Sequence, residues 1–174
     1  NLTMLRMFRG CSSFNGVLTF TDTPNVTTFF ETFAGCTVFN QPINFTDTSS
    51  ALAMSYMFSG CTAFNQPITF TTPLVTNMAS MFKSCNTLDN PITFTDTSNV
   101  TTTADMFHGC TSFNQDVTMD MTSNLTMFRM FRACSLFNGV IAFTDTSNVT
   151  NITQMFYGCT VFNQPIDFDT SSVS

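Results

Sequence analysis

The side chains in this chain best able to do chemistry are seven cysteines, Cys11, Cys36, Cys61, Cys85, Cys110, Cys134 and Cys159, set 24 or 25 residues apart. A thiol can bridge, hold a metal or attack an electrophile, and each use has its own spacing. A zinc site needs paired ligands of the C-x-x-C kind, and the chain has no such pair and a single histidine, His108. Seven is odd, so the thiols cannot all pair within one chain, and a disulfide framework is irregular in spacing where this one is regular. Stacked one per strand step of about 5 Å, neighbouring cysteines fall within the Cα reach of a bridge. Parallel side chains in register, however, hold their Cβ atoms apart. The spacing therefore predicts seven reduced, buried thiols that behave as small hydrophobes.

No other catalytic constellation stands out. There is no G-x-S-x-G, no histidine-based pair and no P-loop. His108 sits two residues before its cysteine, in the slot that holds Arg9, Lys83, Arg132 and Tyr157 elsewhere, which reads as a variable surface position. No enzyme activity, metal or cofactor is expected. Asp22, Asp47, Asp96, Asp145 and Asp169 form a column, broken at Thr72 and offset at Asp120. Such a column could hold a cation between repeats or cap helix starts, and capping is the simpler use.

Three further columns are candidate contact or structural residues. Arg6, Arg9, Arg129 and Arg132 are four of only five basic residues. The second pair repeats the first five units on, about 24 Å away at strand spacing. They either meet an acidic partner or neighbouring subunit, or balance nearby carboxylates. Thr19 and Thr21, Thr69 and Thr71, and Thr93 and Thr95 flank inward phenylalanines and make an uncharged strip. Threonine is a good strand former, and a flat T-x-T array also resembles the ice-binding face of insect antifreeze solenoids. Asn15, Asn40, Asn65, Asn114, Asn138 and Asn163, with Asp89 in the remaining place, predict a structural ladder of side-chain amides.

The elements that must position these columns follow from the repeat itself. A self-similar period of this length marks a solenoid, propeller or array whose units cannot bury a core alone. The fullest unit reads M-F-x-G-C-T-x-F-N-Q-P-I-x-F-T-D-T-S-N-V-T. Val26, Phe29, Phe30 and Phe33 lie at i, i+3, i+4 and i+7, the stripe of a short helix. Asp, Thr and Ser precede the stripe as caps and Gly follows it. Ile43 and Phe45 point one way in a short strand that Pro42 can only open.

The predicted fold is an α/β repeat solenoid, a right-handed coil like that of leucine-rich-repeat proteins. It has about seven coils, each a short parallel strand plus a short helix. The coils run 1–20 (partial), 21–45, 46–70, 71–94, 95–119, 120–143 and 144–168, with 169–174 opening the next. Asn1–Phe45 resembles Asn124–Phe168, as if a five-coil block had duplicated. Phe162, Ile166 and Phe168 would face outward on the last coil, so a longer chain or a covering subunit is expected.

Composition limits the partners. The net charge is −6 with five Lys and Arg, against the basic face that nucleic-acid binding needs. No apolar run approaches the roughly 18 residues of a membrane span, so no membrane insertion is expected.

The frame M-F-x-G-C-x-x-F-N-Q-P-I with D-T-S-N-V-T resembles the BspA-like leucine-rich-repeat surface proteins, including the mycoplasma-type surface repeats. The likeness covers all seven units. Where that family carries Trp before D-x-S-N-V, this chain carries Phe20, Phe45, Phe70, Phe94, Phe143, Phe168 or Met119. The resemblance implies a non-catalytic module displayed at a cell surface or outside the cell, meeting other protein subunits or surface glycans in adhesion. A structural protein of a large virus particle is the alternative. Reduced thiols would suit assembly in a reducing compartment. Ice binding through the threonine columns is a minor alternative.

Overall fold

The computed structural model describes residues 2–20, 23–45 and 47–174. Eight short strands appear among them: β1 (Leu2–Thr3), β2 (Leu18–Thr19), β3 (Val26–Thr28), β4 (Ile43–Asn44), β5 (Ile68–Phe70), β6 (Ile92–Phe94), β7 (Val117–Asp120) and β8 (Ile141–Thr144). They pair in parallel, β1 with β3, β2 with β4, β5 with β6 and β7 with β8. The register joins equivalent positions of successive repeats: Ile68 with Ile92, Phe70 with Phe94, Met119 with Phe143. A second column of parallel bridges runs Thr28, Ala53, Asn77, Thr102, Thr126 and Asn151.

The expected helix is absent: no α-helix occurs among the described residues. The V-x-x-F-F-x-x-F segment instead folds as consecutive turns. Its N–H groups take two directions alternately. Those of Phe29, Glu31, Phe33 and Gly35 donate to carbonyls of the next repeat, those of Ala53, Ser55, Met57 and Ser59. Those of Thr32, Ala34 and Cys36 close turns onto Phe29, Glu31 and Phe33. An α-helix would direct every N–H along its own axis and leave its end groups unpaired, and so short a segment is marginal alone. Exporting half the N–H groups to a neighbour satisfies them and binds repeat to repeat. Each repeat also places a residue at the centre of this segment in the left-handed region, which ends any helix: Arg6, Glu31, Tyr56, Ser80, Asp105, Arg129 and Gln154 have φ between 53° and 58°.

The apolar spacing still points inward. Val26, Phe29, Phe33, Cys36 and Phe39 are fully buried, at steps of three or four residues that turns share with helices. Phe8, Phe33, Phe58, Phe82, Phe107, Phe131 and Phe156 stack face to face, with neighbouring centroids 5.3–5.7 Å apart. Phe14, Phe39 and Phe64 form a second stack beside the first, and Phe113, Phe137 and Phe162 resume it. Fully burying a phenylalanine contributes about 1.5–3 kcal/mol, so these columns supply much of the drive that holds repeat on repeat.

Candidate functional site

The cysteine column is structural in its bonding. All seven thiols are free. Each from Cys36 to Cys159 donates its S–H to the carbonyl of a phenylalanine one repeat earlier, at 2.9–3.1 Å, beginning with Cys36 to Phe8 and Cys61 to Phe33. The Phe33 carbonyl also accepts the Cys36 N–H, so both its lone pairs are used. Desolvation pushes the thiols up, Cys36 and Cys159 to about 11 and Cys110 to about 12. Cys61, Cys85 and Cys134 are also pushed well up by burial. Cys36, Cys61, Cys85, Cys110 and Cys134 are buried, whereas Cys159 is half-buried and Cys11 is exposed.

The asparagine column forms a ladder of a particular kind. The side-chain Oδ1 of Asn15 accepts the backbone N–H of Asn40, and the pattern continues through Asn65, Asp89, Asn114 and Asn138 to Asn163 at 2.7–2.9 Å. Only an oxygen acceptor is needed, so Asp89 serves as well as asparagine. The carboxylates of Asp47, Asp96, Asp120, Asp145 and Asp169 each accept the N–H two residues on. They cap turns rather than helices. Those bonds hold the Asp96 and Asp169 carboxyls below the ordinary carboxylate range. The buried Thr48, Thr97 and Thr146 hydroxyls reach carbonyls of the next repeat. Its sequence signal is the recurrence of Thr at this place, at Thr23, Thr48, Thr72, Thr97, Thr146 and Thr170, broken at Met121.

The threonine strip is partly assembled. Thr19, Thr69, Thr93 and Thr95 are exposed and Thr71 is half-buried. Thr71 also accepts from the Thr48 hydroxyl through its carbonyl. Thr69 pairs with Thr93 across β5 and β6. Asn44, Ala142 and Asp167 occupy the same column and interrupt it. Thr21, and with it Asn1, Asp22 and Thr46, lies outside the described residues.

The basic residues gather in two clusters, each around one largely buried carboxylate. In the first, Nε of Arg6 and Nε of Arg9 both approach Glu31 Oε2, at 2.6 and 3.1 Å. The Arg6 guanidinium lies over Phe30, 5.5 Å from the centroid, and Phe30 meets Tyr56 edge-on at 6.0 Å. In the second, Asp105 receives Arg129 at 3.2 Å, His108 at 2.7 Å and, more distantly, Lys83 at 4.0 Å. Arg132 Nη1 meets His108 Nε2 at 3.1 Å. A guanidinium can only donate, so Nε2 accepts, and His108 is neutral with its proton on Nδ1, facing Asp105. Burial holds the His108 pKa below 6.5, helped by Lys83 and Arg132 and opposed by Asp105. Arg129 Nε and Arg132 Nε are buried without a hydrogen-bond partner. The alternative of charge balance thus describes these contacts, although cations outnumber anions in both clusters.

Two open cavities flank this surface and the last repeat. One, about 460 Å³, is lined by Gly10, Ala34, Gly35 and Ser59 with Arg9, Glu31 and Tyr56. The other, about 500 Å³, is mainly apolar, with Ile152, Met155, Phe156, Ile166 and Phe168 in its lining. No helix among the described residues is long and apolar enough to cross a membrane.

The repeated parallel pairing and the columns define a class: a strand-and-turn repeat protein. The chain belongs to the family described as "Mycoplasma protein of unknown function, DUF285", whose model matches residues 2–71 and 69–168. No curated protein and no solved structure matches it.

Proposed function

We propose that this chain is a non-enzymatic interaction module, a single solenoid of stacked repeats displayed on a cell or virus-particle surface, that meets protein or glycan partners. The observation that carries this reading is the contrast between columns. Three residues before each cysteine stands phenylalanine in all seven repeats. Five residues before it the chain places Arg6, Glu31, Tyr56, Ser80, Asp105, Arg129 and Gln154, and two before it Arg9, Ala34, Ser59, Lys83, His108, Arg132 and Tyr157. The uniform columns face inward except at the exposed Cys11, and the varied ones, apart from the buried Ser80, reach the surface. A repeat array that is constant inside and varied along one exposed strip is built to present a surface. The labelled chain should bind saturably to cells, and treating those cells with protease or glycosidase should remove the binding. Equal binding to treated and untreated cells would sink the reading.

The free thiols favour a second reading, a structural protein of a particle assembled where thiols stay reduced. Purified particles should then contain the chain in fixed stoichiometry, with its cysteines still reactive after unfolding without reductant.

A further inference from the structure

We propose that the groove across the first three repeats binds a carboxylated sugar residue, with Arg9 holding the carboxylate and Tyr56 packing on the sugar ring. This rests on the reading of the chain as a glycan-contacting module. The charge comes first. Arg6 and Arg9 share a single carboxylate oxygen of Glu31, so the cluster keeps one positive charge in excess. Arg9 is turned to Glu31 through Nε, and its guanidinium forms no other ion pair among the described residues, leaving a fork suited to a carboxylate.

The shape comes second. Gly10 and Gly35, with φ of 74° and 76°, and the small Ala34 and Ser59 leave the groove open. Its volume of about 460 Å³ falls within the roughly 300–1,000 Å³ of small-ligand sites. Tyr56 is 39% exposed and offers a flat apolar body with a hydroxyl at its tip.

The backbone argues against an extended peptide. The N–H groups of Phe8, Gly10, Phe33 and Gly35 are all spent on the next repeat, and those of Arg9, Ala34 and Ser59 on turns. No strand edge is left there for a peptide to extend, so recognition must come from side chains. A long polyanion is disfavoured by the net charge of −6. A compact ligand with one carboxylate meets both conditions.

The test titrates the 174-residue chain with 3′-sialyllactose and with glucuronic acid, using lactose as the neutral control, followed by NMR. The acidic sugars should bind and lactose should not. Arg9→Gln and Tyr56→Ala should each weaken binding by about tenfold or more, the scale of one charge-assisted hydrogen bond or aromatic contact. Arg132→Gln should leave it unchanged, and melting curves should confirm that all three variants fold. Lactose binding as tightly as sialyllactose, full binding by Arg9→Gln, or an aspartate-rich hexapeptide binding more tightly than either sugar would overturn the site. The broader reading is judged separately: if this site is wrong but the module reading right, Arg9→Gln still binds cells as the unaltered chain does.

Discussion

The motif N-L-T-M-x-R-M-F-R-x-C occurs twice, at residues 1–11 and 124–134, and the two copies do different things. In the first, both Nε atoms reach forward to Glu31 of the next repeat. In the second, the arginines reach back, to Asp105 and His108 of the previous repeat, through Nη, and their Nε atoms are buried unpaired. The first cluster borders an open groove. In the second, His108 and Lys83 occupy the equivalent surface and close around Asp105. What a repeated arginine contacts is therefore set by the side chains of neighbouring repeats, at the positions that vary.

The contrast can be broken or sharpened by paired experiments. The largest difference is expected in thiol reactivity, because Cys11 is exposed and its counterpart Cys134 is buried with its thiol pushed well up. A thiol reagent on the native chain should label Cys11 roughly a hundredfold or more faster than Cys134. Seven thiols should react after unfolding without reductant, and fewer would reveal bridges.

Next is the aromatic column beneath each motif. Phe131 is fully buried and packs at 4.4 Å on Phe137, 5.5 Å on Phe107 and 5.7 Å on Phe156. Phe131→Ala should cost about 3–5 kcal/mol. Phe8→Ala, at the half-buried counterpart, should cost clearly less in denaturant titration. Equal losses would show that the two copies are packed alike.

The carboxylates come third. Asp105→Asn removes the centre of a network of Arg129, His108 and Lys83 and should cost about 1–3 kcal/mol. Glu31→Gln, facing two half-exposed arginines, should cost about 1 kcal/mol or less.

A backbone exchange is smaller. Gly10 and Ala133 hold the same place, with φ of 74° and 61°. Ala133→Gly should stabilise by up to about 1 kcal/mol, and Gly10→Ala should destabilise by a similar amount, since only glycine takes that conformation without strain.

The smallest effect is on pH dependence, and it belongs to the second cluster alone. The His108 pKa is lower in the folded chain than the ordinary 6.5. Between those two values the unfolded chain binds more protons, so stability rises with pH through that window. The contribution is complete above about 6.5 and is lost as pH falls toward the folded value. His108→Gln should flatten the melting temperature across that window. An unchanged profile would remove His108 as its source.

Much of this was legible in residue order. The period, the inward column of Phe, the burial of Cys36, Cys61, Cys85, Cys110 and Cys134, the parallel pairing at P-I-x-F and the Asn ladder follow from spacing, because equivalent residues of stacked units must meet. The expected burial of Cys11 and Cys159 is not met, Cys11 being exposed and Cys159 half-buried. The expected helix gives way to turns for a physical reason. Burial every three or four residues is common to helices and to consecutive turns, and only the direction of the N–H groups separates them. That direction depends on the neighbouring repeat, which no window of one repeat contains. The two arginine pairs are visible as a recurrence, whereas Glu31, Asp105 and His108 as their partners are not, since a separation of 22 to 25 residues becomes a contact only once the repeats are stacked.

By itself, then, the sequence determined what repeats: the thiol, ring and amide columns, each fixed by a period that any stacking must respect. Tertiary structure decided what each repeat's backbone became and which charges met. Both are settled between repeats: N–H groups go to a neighbour's carbonyls when that satisfies more of them than a short helix can. A cation turns to whichever neighbouring repeat offers an acceptor within reach.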